Sequence, residues 1–213
     1  MDYPKSLGDP NERERRRTLL REKHIAPLTD FVDQIRKEQN KKDEVPYFDP
    51  LDGGINAQCL FVLEAPGPKT KVSGFISRNN PDETAKNSFE FHKEAGIPRE
   101  KTILWNIVPW YIGSGKKIRA ANKSDIEAGL PYLFCLIKLL PKLEIIVLVG
   151  KKAQKISKKL TNKFGDITIY HCFHPSPLFV NNKPGNGKLI IDQLKKVAES
   201  LNRIWTKYNI CLN

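Results

Sequence analysis

Three polar side chains stand at the ends of short apolar runs of the sequence: Glu64, Asn106 and His174. Continuous apolar runs of this kind are typical of strands covered on both faces of a parallel sheet. A carboxylate and an imidazole can hold and release protons, and an amide offers both donors and acceptors to a ligand. Because open α/β sheets bind ligands outside the carboxyl ends of their strands, the three positions predict one shared site.

His174 opens the turn His174-Pro175-Ser176-Pro177-Leu178, which follows an apolar run from Thr168 to Phe173. Proline fixes φ near about −65° and has no amide hydrogen, so this turn cannot continue the strand. It therefore holds an imidazole at a strand end and projects an apolar side chain beside it. The alternative interpretation is a proline-rich loop with an incidental histidine, because a short motif counts for little without its structural context.

Glu64 and Asn106 each have a structural alternative as well. Glu64 can be a loop carboxylate that accepts hydrogen bonds from backbone amides. Asn106 lies among apolar residues, and a buried asparagine must have its amide paired by the protein or by a ligand. The occurrence of three polar groups at three strand ends is what favours a functional site over unrelated structural roles.

The elements that would position these groups alternate between strand and helix. The predicted strands are Cys59–Leu63, Thr102–Ile107, Ile145–Val149 and Thr168–Cys172. Helical spacing of apolar residues predicts helices after Pro27, from Thr84 to Ala95, from a capping box at Ser124 and Glu127 to Pro141, from Ala153 to Phe164, and from Ile190 to Tyr208. This alternation predicts a three-layer α/β/α sandwich with a central four-stranded parallel sheet.

The length of 213 residues favours one domain over residues 1–213, with residues 1–45 as a helical, charged N-terminal extension. The extension contains the run Glu12-Arg13-Glu14-Arg15-Arg16-Arg17. Charge runs of this kind usually form a solvated helix face, which is the expectation here. The alternative is that the arginines contact phosphate.

The chain carries 36 Lys and Arg against 24 Asp and Glu, a net charge of +12. Such a surplus attracts polyanions and favours nucleic acid as the partner, although many basic proteins gain only solubility from it. No apolar run approaches the roughly 20 residues that cross a bilayer, and the N-terminus lacks a secretory pattern. We therefore expect no membrane association and a cytoplasmic location, nucleoid-associated if the source is bacterial.

The four cysteines, Cys59, Cys135, Cys172 and Cys211, are far apart in the sequence. No C-x-x-C pair offers half of a zinc or iron–sulfur site. We therefore expect reduced, packed thiols, with no structural metal and no cofactor.

Across about residues 57–200 the chain resembles the uracil-DNA glycosylase superfamily. The first motif of that family, a strand followed by a short acidic or amide-bearing turn, is similar to Leu63-Glu64-Ala65-Pro66-Gly67. The second motif, a strand followed by H-P-S-x, matches His174 to Pro177. The EAPG form is closest to the branch that usually carries an iron–sulfur cluster. Because the four-cysteine spacing of that branch is missing, the chain looks like a cluster-free relative.

The resemblance implies hydrolysis of the N-glycosidic bond between a base and deoxyribose in DNA. His174 would donate to the uracil O2 as negative charge grows on the departing base, and Glu64 would position water near the oxocarbenium-like sugar. Asn106 would read the Watson–Crick edge of the extruded base, and Phe75 would stack on its face.

The same resemblance assigns the contacts with DNA. Leu178 would fill the gap left in the duplex, as apolar wedges do in other proteins. Ser176, Pro177 and the backbone around them would bind phosphate, together with Lys183 or Lys188. The expected partner is DNA that contains uracil or another deaminated base, bound by a monomer.

Three positions depart from the pattern of the family. Ala65 replaces the aspartate or asparagine of some relatives, so a single carboxylate would activate water. Gly67 stands where the most uracil-selective branch has a tyrosine that excludes the thymine methyl, so selectivity would be looser or would depend on Phe75 or Trp110. Leu63 replaces the usual leading glycine and would crowd the pocket.

A catalytic glycosylase for deaminated bases is the leading prediction, and two other classes stay open. Leu63 and Ala65 favour a nucleic-acid-binding member of the same superfamily that no longer catalyses. The segment Gly67-Pro68-Lys69-Thr70 suggests a weaker alternative, a phosphate- or nucleotide-binding enzyme. The absence of a Walker A pattern in the sequence argues against that last class.

Overall fold

A parallel sheet of four strands lies at the centre of the structure, a computed structural model that describes residues 2–41, 44–114 and 117–210. For residues 117 and 204–210 the description covers the backbone alone. The predicted helix position Tyr208 and the thiol of Cys211 therefore lie outside the described side chains.

All four predicted strands are present. The strands, in chain order, are β1 (Tyr47–Phe48), β2 (Cys59–Leu63), β3 (Phe75–Ile76), β4 (Thr102–Asn106), β5 (Gly113–Ser114), β6 (Lys117–Ile118), β7 (Ile145–Val149) and β8 (Thr168–Cys172). The central sheet has the order β4-β2-β7-β8, and all of its strands are parallel. Outside it, β1 pairs with β3 in parallel and β5 pairs with β6 in a small antiparallel hairpin.

Helices connect the strands and cover the sheet. They are α1 (Pro10–Thr18), α2 (Ala26–Gln39), α3 (Pro68–Ser73), α4 (Glu83–Glu94), α5 (Lys123–Lys138), α6 (Gly150–Gln154), α7 (Ser157–Lys163), α8 (Pro177–Val180) and α9 (Asn186–Ile210). Short 3-10 turns occur at Ser6–Gly8, Leu19–Arg21, Gly54–Asn56 and Arg99–Lys101. No helix among the described residues is both long enough and apolar enough to cross a membrane.

The two faces of the sheet bury different helices because strand side chains alternate between faces. Phe61 and Leu104 are paired across β2 and β4 and border a small apolar cavity with side chains of α4 and α9. The next pair places Trp105 on the opposite face, where its ring lies 5.9 Å from that of Phe31 in α2. Helices on both faces of a parallel sheet confirm the predicted α/β/α sandwich.

Two helix predictions need correction. α5 begins at Lys123, because Asn122 caps it: the Asn122 side chain accepts from the Asp125 amide at 2.9 Å, and Asp125 accepts from the Asn122 amide at 2.8 Å. The capping box is therefore Asn122 and Asp125, two residues before the predicted one. The predicted lysine-rich helix is two helices, α6 and α7.

The thiols also differ in part from the expectation. Cys59 and Cys172 are buried, and burial raises the pKa of Cys172 to about 12. Cys135 is exposed, because it lies on the face of α5 that points away from the buried residues Leu133, Leu136 and Ile137.

The arginine run is not a wholly solvated face. Arg16 of α1 is fully buried; it donates to Glu12 at 2.9 Å and also pairs with the buried carboxylate of Asp49. Arg99 joins the same network and contacts Asp49 and Asp52, each at 2.8 Å. The prediction of solvated charge is wrong for Arg16 because α1 packs one side of its charged surface against the loop that follows β1.

Candidate active site

The carboxyl ends of the central strands open into one cleft of about 540 Å³. The side chains predicted to converge, Glu64, Asn106 and His174, all line it. They follow or end β2, β4 and β8 respectively, so three separate crossovers of the chain bring them to the same edge of the sheet.

A glycine at the end of β7 gives His174 access to this cleft. β7 lies between β2 and β8, so a side chain at its end would stand between His174 and Glu64. Gly150 occupies that place with φ 84°, in the left-handed region that favours glycine. A Cβ built on Gly150 would lie 3.2 Å from the His174 Cβ, so the imidazole packs directly over bare backbone.

Amide side chains from three helices hold the backbone on both sides of His174. Gln154 of α6 and Gln193 of α9 bond the backbone before it, at 3.1 and 2.9 Å. Asn87 of α4 donates to the Pro175 carbonyl after it at 2.9 Å. The histidine is therefore fixed by contacts that its own turn does not supply.

His174 is neutral in this environment. Burial lowers the pKa of its imidazole below the usual 6.5, and the Glu64 carboxylate opposes part of that shift. Neither ring nitrogen bonds another described residue, so the single N–H of the neutral ring can be donated to a ligand.

The Glu64 carboxylate takes part in a contact that we name the Ala121 clamp, formed by Glu64, Ala121 and Lys152. Glu64 Oε1 accepts from the buried Ala121 amide at 2.5 Å, and Lys152 Nζ donates to the Ala121 carbonyl at 2.7 Å. The structural interpretation of Glu64 is therefore met by one oxygen, which bonds a backbone amide, while the residue also lines the cleft. The functional interpretation stays a prediction. Glu64 Oε2 accepts no bond from the described residues and can orient water.

Asn106 ends β4 opposite Leu63 and is 3% exposed. Its side-chain amide makes no hydrogen bond with the described residues. Although the residue as a whole is buried, it lines the cleft, so its amide can meet a ligand there. The position therefore suits a ligand that supplies both a donor and an acceptor.

Phe75 does not line the cleft. It is fully buried in β3 and borders a different hollow, whereas the next residue, Ile76, lines the cleft, because successive strand side chains point to opposite sides. Gly67 lines the cleft, and a Cβ built on it would meet nothing within 4 Å. Trp110 is buried against Tyr132, with ring centres 6.1 Å apart.

The predicted DNA-binding residues follow His174 in the sequence, after Pro175, and are not among the residues that line the cleft. Leu178 is 87% exposed in α8, directly after Pro177, the first residue of that helix. Ser176 precedes the helix, and its hydroxyl makes no capping bond. Lys183 and Lys188 are exposed, and neither forms an ion pair within the described part of the chain.

The opposite wall of the cleft comes from a segment that the sequence analysis did not assign. Ser77, Arg78, Asn80 and Asp82 line it. Asp82 accepts from the Ala85 amide at 2.9 Å to cap α4, and burial raises the pKa of its carboxyl. The available signal was a dense polar run directly after the apolar pair of β3.

The β5–β6 hairpin closes a further side of the cleft. Ile118 is 43% exposed and lines it together with Arg119, whose guanidinium bonds Asp125 at 2.6 Å. The described residues contain no group of three histidine, cysteine or carboxylate side chains that could hold a metal.

Comparison with known proteins adds one family assignment. Residues 50–201 match the model of the uracil DNA glycosylase superfamily. No curated protein matches the chain. The relation to the EAPG branch stays a prediction. Because the matched segment holds the whole central sheet and every strand end that faces the cleft, the resemblance is confirmed: the chain belongs to the uracil-DNA glycosylase superfamily.

Proposed function

We propose that this protein is a DNA glycosylase that removes uracil or a related deaminated base by hydrolysing its N-glycosidic bond. Membership of the superfamily supports glycosylase chemistry on DNA. The observation that carries the proposal is the convergence of Glu64, Asn106 and His174 on one cleft. The net charge of +12 supports a polyanionic substrate.

Bond cleavage separates charge, and the cleft residues suit both products. The base departs with the bonding electrons, and the neutral His174 donates an N–H to its carbonyl oxygen as negative charge develops there. The sugar gains positive charge near the Glu64 carboxylate. Water oriented by Glu64 Oε2 adds to the anomeric carbon and gives its proton to the carboxylate, and the released base takes a proton from solvent.

Base recognition falls to Asn106. Its unpaired amide can accept from the ring N–H of uracil and donate to the neighbouring carbonyl oxygen. The open space beside Gly67 leaves room for a larger base or a ring substituent. We therefore expect activity on more than one deaminated base.

The extruded nucleotide needs support on the duplex side. The exposed Leu178 can occupy the space that the base leaves, while Ser176, Lys183 and Lys188 bind the flanking phosphates.

The direct test uses single- and double-stranded oligonucleotides with one uracil, hypoxanthine or xanthine, heated in alkali after incubation to break abasic sites. We expect strand breaks with at least one of these bases. Glu64→Gln, purified in parallel to control for contaminating enzymes, should be slower by about 10²–10⁴-fold. If the folded protein produces no alkali-sensitive site with any base of this panel, the proposal is contradicted.

The second candidate is a DNA-binding member without catalysis. It is favoured by Leu63 and Ala65, which line the cleft beside Glu64 and add no polar group to it. This candidate predicts salt-sensitive binding to DNA that His174→Ala leaves unchanged, with no base released.

A further inference from the structure

A second hollow of about 300 Å³ lies against α3, next to the cleft. Cationic side chains from three helices line it: Arg17 of α1, Arg36 of α2 and Lys71 of α3. We name it the cationic hollow. Thr70 of α3 lines both the hollow and the cleft, so a single short helix separates them.

Arg36 is held in place at the floor of the cationic hollow. Its guanidinium carbon lies 3.8 Å from the centre of the Tyr47 ring, and its Nε donates to the Val45 carbonyl at 2.8 Å. Its Nη2 donates to the same carbonyl at 2.5 Å, so Arg36 contributes a fixed positive charge to the hollow.

The other two cations are held by weaker contacts that a ligand can replace. Arg17 is exposed, and its partner Glu14, at 3.1 Å, is exposed as well, so this weak pair gives way readily to a phosphate. Lys71 forms no ion pair with the described residues, and its Nζ lies 5.2 Å from the centre of the Tyr111 ring.

Acidic groups near the hollow are already engaged. Glu44 lines it, but its carboxylate pairs with Lys41 at 2.6 Å. Asp33 accepts from the Tyr47 hydroxyl at 2.6 Å and lies 3.9 Å from Arg36. Three cations against one carboxylate on the lining leave a surplus of positive charge, which suits a phosphodiester.

We propose that the cationic hollow binds one backbone phosphate of the DNA strand whose damaged nucleotide enters the cleft. The inference rests on the proposed function of the cleft. A helix with its side chains is about 10–12 Å across. The bound phosphate therefore belongs to a nucleotide close to the extruded one in the strand but not directly at it.

The inference assigns a role to part of the N-terminal extension. Arg17 and Arg36 precede the residues that match the superfamily, which begin at 50. Of the arginine run, Arg16 is buried in the core and Arg17 faces the hollow. The two neighbours thus divide into a structural residue and a substrate-binding residue.

The test replaces single phosphates of a uracil-containing single strand by neutral methylphosphonates, at five positions on either side of the uracil. Affinity is measured by fluorescence anisotropy in the Glu64→Gln background, which preserves the substrate. We expect one position among these, not directly at the uracil, to raise Kd about tenfold. Adding Arg17→Ala and Lys71→Ala should abolish the effect of that position and leave the other positions unchanged.

The matched control is Lys23→Ala with Lys37→Ala, which removes the same charge from exposed positions outside the hollow. The control should keep the full methylphosphonate effect. If the Arg17 and Lys71 variant keeps it too, the inference is overturned. Arg36 is left intact because its bond to Val45 supports the fold.

Salt dependence separates this inference from the proposed function. The slope of log Kd against log salt should fall by about 0.7 in the Arg17 and Lys71 variant, the value for one phosphate contact on a single strand. If the protein releases no base but the slope falls as expected, the glycosylase proposal is contradicted and phosphate binding in the cationic hollow is supported. If base release is normal but the slope is unchanged in the variant, only the inference that the cationic hollow binds phosphate is overturned.

Discussion

Gly150 decides where the imidazole of His174 can lie, because any Cβ at this position would press on it at 3.2 Å. We expect Gly150→Ala to lower the rate of base release by up to about tenfold, because His174 must shift by a few tenths of an ångström. The positive φ should also cost about 1–2 kcal/mol of stability. Gly165→Ala is the control, since a Cβ there meets nothing closer than 3.8 Å. Single-turnover rates and thermal melting measure both effects, and an unchanged rate argues against this role.

Lys152 supports the position of the Glu64 carboxylate through the Ala121 clamp. Lys152→Ala removes the bond to the Ala121 carbonyl and should lower kcat about tenfold, the effect of one lost hydrogen bond, with KM nearly constant. Lys152→Arg should restore most of kcat. Lys155→Ala removes the same charge from an exposed position close by in the chain and should leave kcat unchanged. A rise in KM alone would show that Lys152 contacts DNA instead.

The sequence predicts some of these residues and not others for physical reasons. Glu64, Asn106 and His174 stand out because a polar side chain at the end of an apolar run is conspicuous. Gly150 also ends such a run, but its contribution is the absence of a side chain. The Ala121 clamp leaves no signal at all, because its central partner is a backbone amide whose position depends on the path of a long loop.

At the scale of elements, α1 is attached to the rest of the fold by a buried charge. Arg16→Ala would leave the Asp49 carboxylate with one cationic partner fewer in a site without solvent. The expected loss is about 3–5 kcal/mol in the free energy of unfolding, measured by urea denaturation. Arg17→Ala on the same helix should change it by less than about 0.5 kcal/mol. If both variants lose a similar free energy of unfolding, the buried pair of Arg16 has no special role, and the arginines of α1 stabilise the fold only through their positive charge.

Elements built on apolar periodicity were predictable, and elements built on polar contacts were not. The four strands of the central sheet and α2 follow patterns of continuous or helical apolar spacing, and they lie where expected. The burial of Arg16 has no such pattern, since it lies within an unbroken run of charged residues from Glu12 to Arg17. Phe75 shows the related limit for a strand of two residues, which is too short for alternation to reveal which side chain faces the cleft.

The stability of the whole molecule should depend on pH through His92. Burial lowers the pKa of this imidazole to about 3, whereas the ordinary value is 6.5. Below pH 6.5 the His92 imidazole binds a proton in the unfolded chain but stays neutral in the folded protein. The contribution of His92 to the free energy of unfolding should therefore fall by about 1.4 kcal/mol per pH unit on acidification, down to about pH 3.

Urea titrations of the wild type and His92→Leu between pH 7 and 4 measure this contribution as the difference between two slopes. Burial raises the pKa of Asp52 to about 6 from 3.8, so Asp52 contributes stability that grows as the pH falls through that window. Both proteins share this opposing effect, and it cancels in the difference. Parallel curves for the two proteins would show that His92 can be protonated without unfolding.

The turn that carries His174 is bonded to α4, α6 and α9, segments that are far apart along the chain. A molecule in which any one of these helices has not docked lacks a fixed imidazole. Partly folded forms would then release no base from DNA. The activity would arise only when the tertiary structure is complete.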